Sequence, residues 1–240
     1  MSGYDRSGKR GLSPFPFEQA PFPGDRDSPH FRQGEQPGDG SGRKWGQSLV
    51  AGVDEAGRGP LAGPVCAAAV ILDPDRPVEG LADSKRLTAR ARERLAAELE
   101  ARALAFGLGW ADVAEINAVN IRQATFLAMR RALVALGVPP ARVRVDGNAL
   151  PPVDGLGFEC EWEAVVGGDA TVAEISAASI LAKTARDAYM REAARAYPGY
   201  GFDEHKGYGT AAHIQALAAL GPSPLHRMSF APLKSGHPRR

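Results

Sequence analysis

Three short apolar runs that each lead to an acidic residue constrain this chain most. Leu49 to Val53 stops at Asp54-Glu55. Arg142-Val143-Arg144-Val145-Asp146 alternates with period two up to Gly147, and Trp162 to Val166 leads through Gly167-Gly168 to Asp169. Short runs of this kind, bounded by glycine, read as strands. Val65 to Leu72 and Leu104 to Trp110 supply two more. Helical patterns cover Thr88 to Ala103, Ala118 to Leu136, Thr171 to Arg195, and the stretch from Thr210 to just before Gly221. Glu174, three residues after Thr171, predicts a capping box there. Strands and helices in this order predict an α/β fold: a five-stranded mixed sheet with helices on its faces and a C-terminal helical stretch packed outside it.

Asp54, Glu55, Asp146 and Asp169 stand where a solvated charge has no reason to be. Neighbouring strands lie about 4.8 Å apart, so carboxylates at adjacent strand ends converge. Ligands bind at the C-terminal ends of parallel strands, where the topology switches. Crowded carboxylates repel unless protons or cations neutralise them. Oxygen donors without His or Cys select Mg²⁺ or Mn²⁺ over zinc. Two such ions roughly 3.5–4 Å apart suit phosphodiester hydrolysis. Taken singly, each acid reads equally well as a strand-end turn former. One geometric difficulty remains. Consecutive strand residues point to opposite faces, so Asp54 and Glu55 share a site only if the strand bends, which Gly57 would ease.

Composition removes other classes. The charge-free stretches Gly59–Leu72 and Gly207–His226 are, respectively, too short and too interrupted by polar residues, glycine and proline for a membrane span. No apolar segment near the N-terminus resembles a secretory signal, so a cytoplasmic location is expected. Two cysteines and five scattered histidines offer no structural zinc site. A net charge of +1 limits any nucleic-acid contact to a local patch, for which Lys85, Arg86, Arg90, Arg92 and Arg94 are candidates. Gly207-Tyr208-Gly209-Thr210-Ala211-Ala212 matches a dinucleotide fingerprint but follows a polar segment where a strand is required. Residues 1–47 hold six prolines, nine glycines and no Val or Ile, so they read as a disordered extension. Phe15, Phe17, Phe22 and Phe31 could make it a docking segment for a protein partner.

The stretch Val53-Asp54-Glu55-Ala56-Gly57-Arg58-Gly59-Pro60-Leu61-Ala62-Gly63-Pro64-Val65 closely resembles the opening motif of ribonuclease HII. So do Asp83-Ser84-Lys85, Val145-Asp146-Gly147, Gly168-Asp169, Ile175 to Lys183, Arg186-Asp187, His205 to Thr210 and His226 to Phe230, all in the family's order. The resemblance extends from about Leu49 to Pro232. It implies an RNase H-like fold with a C-terminal helical extension, a catalytic domain over 48–234 and a flexible tail over 235–240. It also implies a monomeric endonuclease that hydrolyses the RNA strand of RNA–DNA hybrids and nicks 5′ of single ribonucleotides in duplex DNA. Two Mg²⁺ or Mn²⁺ ions would take part, held by Asp54, Glu55, Asp146 and Asp169. Gly57, Arg58 and Gly59 would read the ribose 2′-OH through backbone groups, and Tyr208 would contact the same hydroxyl and the neighbouring sugar. Ser84 and Lys85 are the favoured additional substrate contacts.

Lys183 and Asp187, four apart on one helix, are expected to pair in a structural or supporting role. His226-Arg227 reads as structural or phosphate-facing. Two departures from the family pattern stand out: Gly167 where a Lys is usual, and Asn117 where an Asp is common. Two alternatives stay open: a ribonuclease HIII-like preference for long hybrids, or a catalytically inactive hybrid-binding protein.

Overall fold

The computed structural model describes residues 49–81 and 87–235. The readings placed on 1–47, Ser84, Lys85, Arg86 and 236–240 lie outside the described residues. Strands β1 (Val50–Ala56), β2 (Val65–Ile71), β3 (Ala105–Ala111), β4 (Arg142–Asp146) and β5 (Glu161–Val165) form one sheet in the order β3-β2-β1-β4-β5. β2 pairs antiparallel with both β1 and β3, whereas β1–β4 and β4–β5 are parallel. The direction of pairing therefore changes at β1, the strand that carries Asp54 and Glu55.

Helix α2 (Val113–Ala135) covers β2 and β3, and α4 (Ala173–Ala196) lies on β1 and β2. Glycine sets how closely these layers approach. A Cβ on Gly109 would fall 2.0 Å from the Ala128 carbonyl oxygen of α2, and one on Gly52 would fall 2.1 Å from the Glu174 carbonyl carbon of α4. The α2 face buries Ala51 and Val53 of β1 with Val143 and Val145 of β4, alongside Ala128, Ala132 and Leu133. Helix α1 (Ala89–Arg102) starts at its Thr88 cap, whose hydroxyl accepts from the Ala91 amide. No helix among the described residues is long and apolar enough to cross a membrane.

Two helix starts differ from expectation. Helix α2 begins at Val113, five residues before Ala118, because Asp112 and Glu115 form a reciprocal capping box. It then breaks at Asn120 (φ 69°, ψ 164°), whose side-chain oxygen accepts from the Arg122 and Gln123 amides and re-caps the second half. The anticipated Thr171–Glu174 box is absent. Thr171 ends a short helix, α3 (Gly168–Thr171), and its hydroxyl donates back to the Gly167 carbonyl, while extended Val172 restarts the chain as α4. β-Branched Val172 suits that extended break.

The C-terminal region is the helical extension. It contains α5 (Phe202–His205) and α6 (Ala211–Leu220), and Thr210 caps the latter. Phe202, Tyr200 and Leu225 pack with Met190 and Ala193 of α4 and with Ala62 from the loop after β1.

Candidate active site

The parallel register pairs Val53 with Val145, so Asp54 and Asp146 are the next residues along two adjacent strands. Gly52 faces α4, and by alternation Asp54 does too. Its carboxylate accepts from the Glu55 amide at 2.7 Å and from the Ser179 hydroxyl of α4. Burial, the neighbouring Glu55 and Asp146 together push the Asp54 carboxyl well above the usual range. Asp169 sits buried in α3, directly after β5, and its amide donates to Asp146 Oδ1 at 3.3 Å. Ser176 of α4 holds the Asp169 carbonyl from the other side.

Glu55 behaves as the alternation rule requires. β1 stays extended through Ala56, so the Glu55 side chain starts on the opposite face from Asp54, yet at the strand tip its carboxylate still repels those of Asp54 and Asp146 and lies 3.2 Å from Arg58. Burial raises its carboxyl while Arg58 draws it back and Asp146 adds repulsion. Among the described residues, no three acidic, His or Cys side chains are grouped closely enough to hold a metal ion. The donor set is nevertheless all oxygen, and the uncompensated charge on Asp54 is the kind that a hard cation relieves.

An open cleft of about 340 Å³ reaches Glu55 and is lined by it with Gly57 to Gly59, Arg92, Ser179, Lys183 and Tyr208. A second, of about 200 Å³, lies beyond Glu55 and Arg58 and is lined by Arg122, Phe126, Asp146 and Asn148. Lys183 and Asp187 form an ion pair in the wall of the first cleft, with Arg92 4.0 Å from Asp187. On α1, Arg90 and Arg94 are exposed, and the cation that reaches the cleft is Arg92. Helix phase decides this, because Arg92 lies off the i, i+4 row that Arg90 and Arg94 share. Tyr208 is 46% exposed. Its ring edge lies 3.6 Å from where a Cβ on Gly59 would stand, ordinary van der Waals contact, so the ring packs beside the loop.

What holds the Gly57–Gly59 loop is buried arginine. Arg227 is fully buried and donates to the carbonyls of Gly57, Arg58, Gly63 and Pro64 at 2.6, 2.9, 2.9 and 3.3 Å. It lies inside the protein, 5.1 Å over the Phe230 ring, and so faces no phosphate. Arg186 of α4 donates to the carbonyls of Pro64, Lys206 and Ala62. Because peptides are planar and trans, carbonyls of Gly57 and Arg58 drawn inward leave the Arg58 and Gly59 amides directed outward. Gly57 needs its φ of +96°, and a Cβ there would sit 2.0 Å from Arg186 Nε.

Sequence reasoning missed Arg186 as a site residue, although a signal existed. It falls on the same α4 stripe as Ala178, Ala182, Met190 and Ala193, all buried. Asn117 also has a partner in place of the usual acid's charge: its side-chain oxygen accepts from the Ser229 amide and hydroxyl.

A family model described as Ribonuclease HII matches residues 51–233. The chain is 61% identical over 185 residues to Ribonuclease HII of Laribacter hongkongensis (strain HLHK9), covering 77% of this chain and 92% of that one. It is 60% identical over 185 residues to Ribonuclease HII of Paracidovorax citrulli (strain AAC00-1), covering 77% and 75%. Among solved structures, the ribonuclease H2 from Pyrococcus horikoshii OT3 superposes with a TM-score of 0.67 at 27% identity, over 78% of this chain and 96% of that one.

Proposed function

Since the chain belongs to the ribonuclease HII family and is an endoribonuclease of the hydrolase class, we propose that it cuts the RNA strand of RNA–DNA hybrids and nicks 5′ of single ribonucleotides embedded in duplex DNA. The products carry 5′-phosphate and 3′-hydroxyl ends. The observation that carries this reading is that Asp54 and Asp146 end adjacent parallel strands, with the Asp169 amide bonded to Asp146, while Glu55 lines a cleft together with the Gly57–Gly59 loop and Tyr208.

Asp54, Glu55, Asp146 and Asp169 would hold two Mg²⁺ or Mn²⁺ ions, which when bound would activate water for in-line attack and stabilise the departing O3′. The protein's own groups supply the rest. Ser179 and the Glu55 amide orient the Asp54 carboxylate, and the Asp169 amide orients that of Asp146. The outward amides of Arg58 and Gly59 offer fixed donors to a ribose 2′-OH, the group that tells RNA from DNA. Tyr208 places a flat ring and a hydroxyl against the sugar edge. Arg58, Arg92 and Lys183 supply local positive charge for the phosphate backbone in a chain of net charge +1.

The test compares nicking of a duplex holding one ribonucleotide with cleavage of a long hybrid, for the parent, Asp54→Asn, Asp146→Asn and Tyr208→Phe. Both Asn variants are expected to bind duplex without cutting it, and Tyr208→Phe to lose preference for the single ribonucleotide. Retained cutting by either Asn variant would refute the assignment of the acids.

A further inference from the structure

Three histidines converge under the segment that carries Tyr208. His213 of α6 and His226 are both buried. The rings of His205 and His213 stack at 4.4 Å, and Phe202 packs against all three imidazoles. No step of the hydrolysis uses these groups, yet their hydrogen bonds run directly to Tyr208.

The backbone fixes where each proton sits. The Ser223 amide is an obligate donor and lies 2.9 Å from His226 Nδ1, so that nitrogen is bare. In the neutral ring the proton is then on Nε2, which donates across 3.1 Å to His213 Nε2. His213 must therefore carry its proton on Nδ1, and it donates this to the Tyr208 carbonyl at 2.9 Å. One arrangement satisfies every member, and charging either ring would set two N–H groups against each other. Burial agrees with neutrality, since it lowers His213 and brings His226 down to about 4. The titratable groups facing the pair are each other, His205 and Tyr200, whose hydroxyl is occupied by the Gly221 carbonyl.

The rest of the Tyr208 backbone is tied as well. Its amide donates to the His205 carbonyl at 2.9 Å, and the preceding Gly207 carbonyl accepts from Leu61 at 2.8 Å. His205 is itself oriented by the Gly207 amide on Nδ1 and by the Tyr200 carbonyl on Nε2. The ring of Tyr208 is left exposed beside Gly59 while its peptide groups are fastened from beneath.

We infer that His213 and His226 are positioning residues for Tyr208: a buried neutral pair with a single proton arrangement that sets the Tyr208 carbonyl and, through it, the aromatic ring offered to the sugar. The inference rests on the reading of Tyr208 as a sugar contact, and the two are separable by experiment.

The first measurement uses the unaltered protein. Histidine ring nitrogen shifts at neutral pH are expected to show Nδ1–H with bare Nε2 on His213 and the reverse on His226. A proton on Nε2 of His213 would overturn the inference. The second measurement is kinetic, on the duplex with one ribonucleotide, with folding of each variant followed by thermal melting. In His213→Asn the amide nitrogen replaces Nδ1 and keeps the bond to Tyr208, whereas in His213→Gln it replaces Nε2 and loses that bond. His213→Gln is expected to lower kcat/KM about tenfold, the scale of one compromised hydrogen bond to a buried carbonyl, and His213→Asn to stay within about threefold of the parent. In a Tyr208→Ala background, His213→Gln should cost nothing further. An equal loss in both backgrounds would overturn the positioning role. A neutral Tyr208→Ala would sink the sugar contact, whereas a defective Tyr208→Ala beside a fully active His213→Gln would sink the pair's role alone.

Discussion

Replacing Arg227 probes the support of the Gly57–Gly59 loop most directly. Its guanidinium serves four carbonyls, of which Pro64 keeps a second donor in Arg186. Arg227→Met thus removes the donor from Gly57, Arg58 and Gly63. Orphaning a buried acceptor costs about 1–3 kcal/mol each, and removing the buried charge returns part of its desolvation cost. A net loss of about 3 kcal/mol is expected, against a total of about 5–15 kcal/mol for an ordinary domain. Arg227→Lys is the sharper variant. Burial, reinforced by the nearby Arg186 charge, already brings Arg227 down to about 9. An ammonium is more strongly hydrated than a guanidinium and lacks its planar fork. Lysine should therefore recover less than about 1 kcal/mol relative to methionine. Urea unfolding gives the stabilities, and amide exchange at Arg58 and Gly59 reports whether the loop loosens ahead of global unfolding. Arg227→Lys with parental stability and parental cleavage would refute the claim that the fork holds the loop.

Three further outcomes are expected. Gly57→Ala must move a φ of +96° and displace Arg186, whose Nε would lie 2.0 Å from the new Cβ, so stability should fall by about 2–5 kcal/mol and cleavage with it; an active, stable variant would contradict the packing described. Gly52→Ala pushes on the α4 backbone at 2.1 Å and should cost about 1–3 kcal/mol while shifting Ser179 and Lys183 in the cleft, which melting and cleavage measure together. His226 has a folded-state value brought down to about 4, so the unfolded chain takes up its proton first on acidification. Its contribution is complete above about pH 6.5 and disappears as pH falls through about 4, a change of about 2 kcal/mol after partial screening; comparing melts of the parent and His226→Asn across that interval should show the parent losing more.

Period and punctuation made the sheet readable. β4 runs from Arg142 to Asp146 as the alternation indicates, and β1, β2, β3 and β5 differ from expectation only at their ends. Helix starts were harder where polar residues mask them. The Asp112–Glu115 box precedes a polar, Asn-bearing stretch that hides its periodicity, and a Thr–Glu spacing at Thr171 is a false signal because Val172 separates α3 from α4. Adjacency of Asp54 and Asp146 follows from parallel pairing, which local patterns do not specify. The roles of Arg186 and Arg227 at the loop were harder to read for a different reason, although the α4 stripe and the structural alternative for Arg227 pointed inward. A guanidinium reads as a surface group until carbonyls from loops far along the chain are seen to surround it.

Those two arginines have an electrostatic consequence of their own. Their hydrogen-bond acceptors are main-chain carbonyls, which orient toward a cation without cancelling it. Two positive charges thus sit behind the floor of the cleft at neutral pH, where mobile salt ions have little access. The pull they exert on an approaching polyanion should outlast the neutralisation of exposed lysines and arginines at the rim.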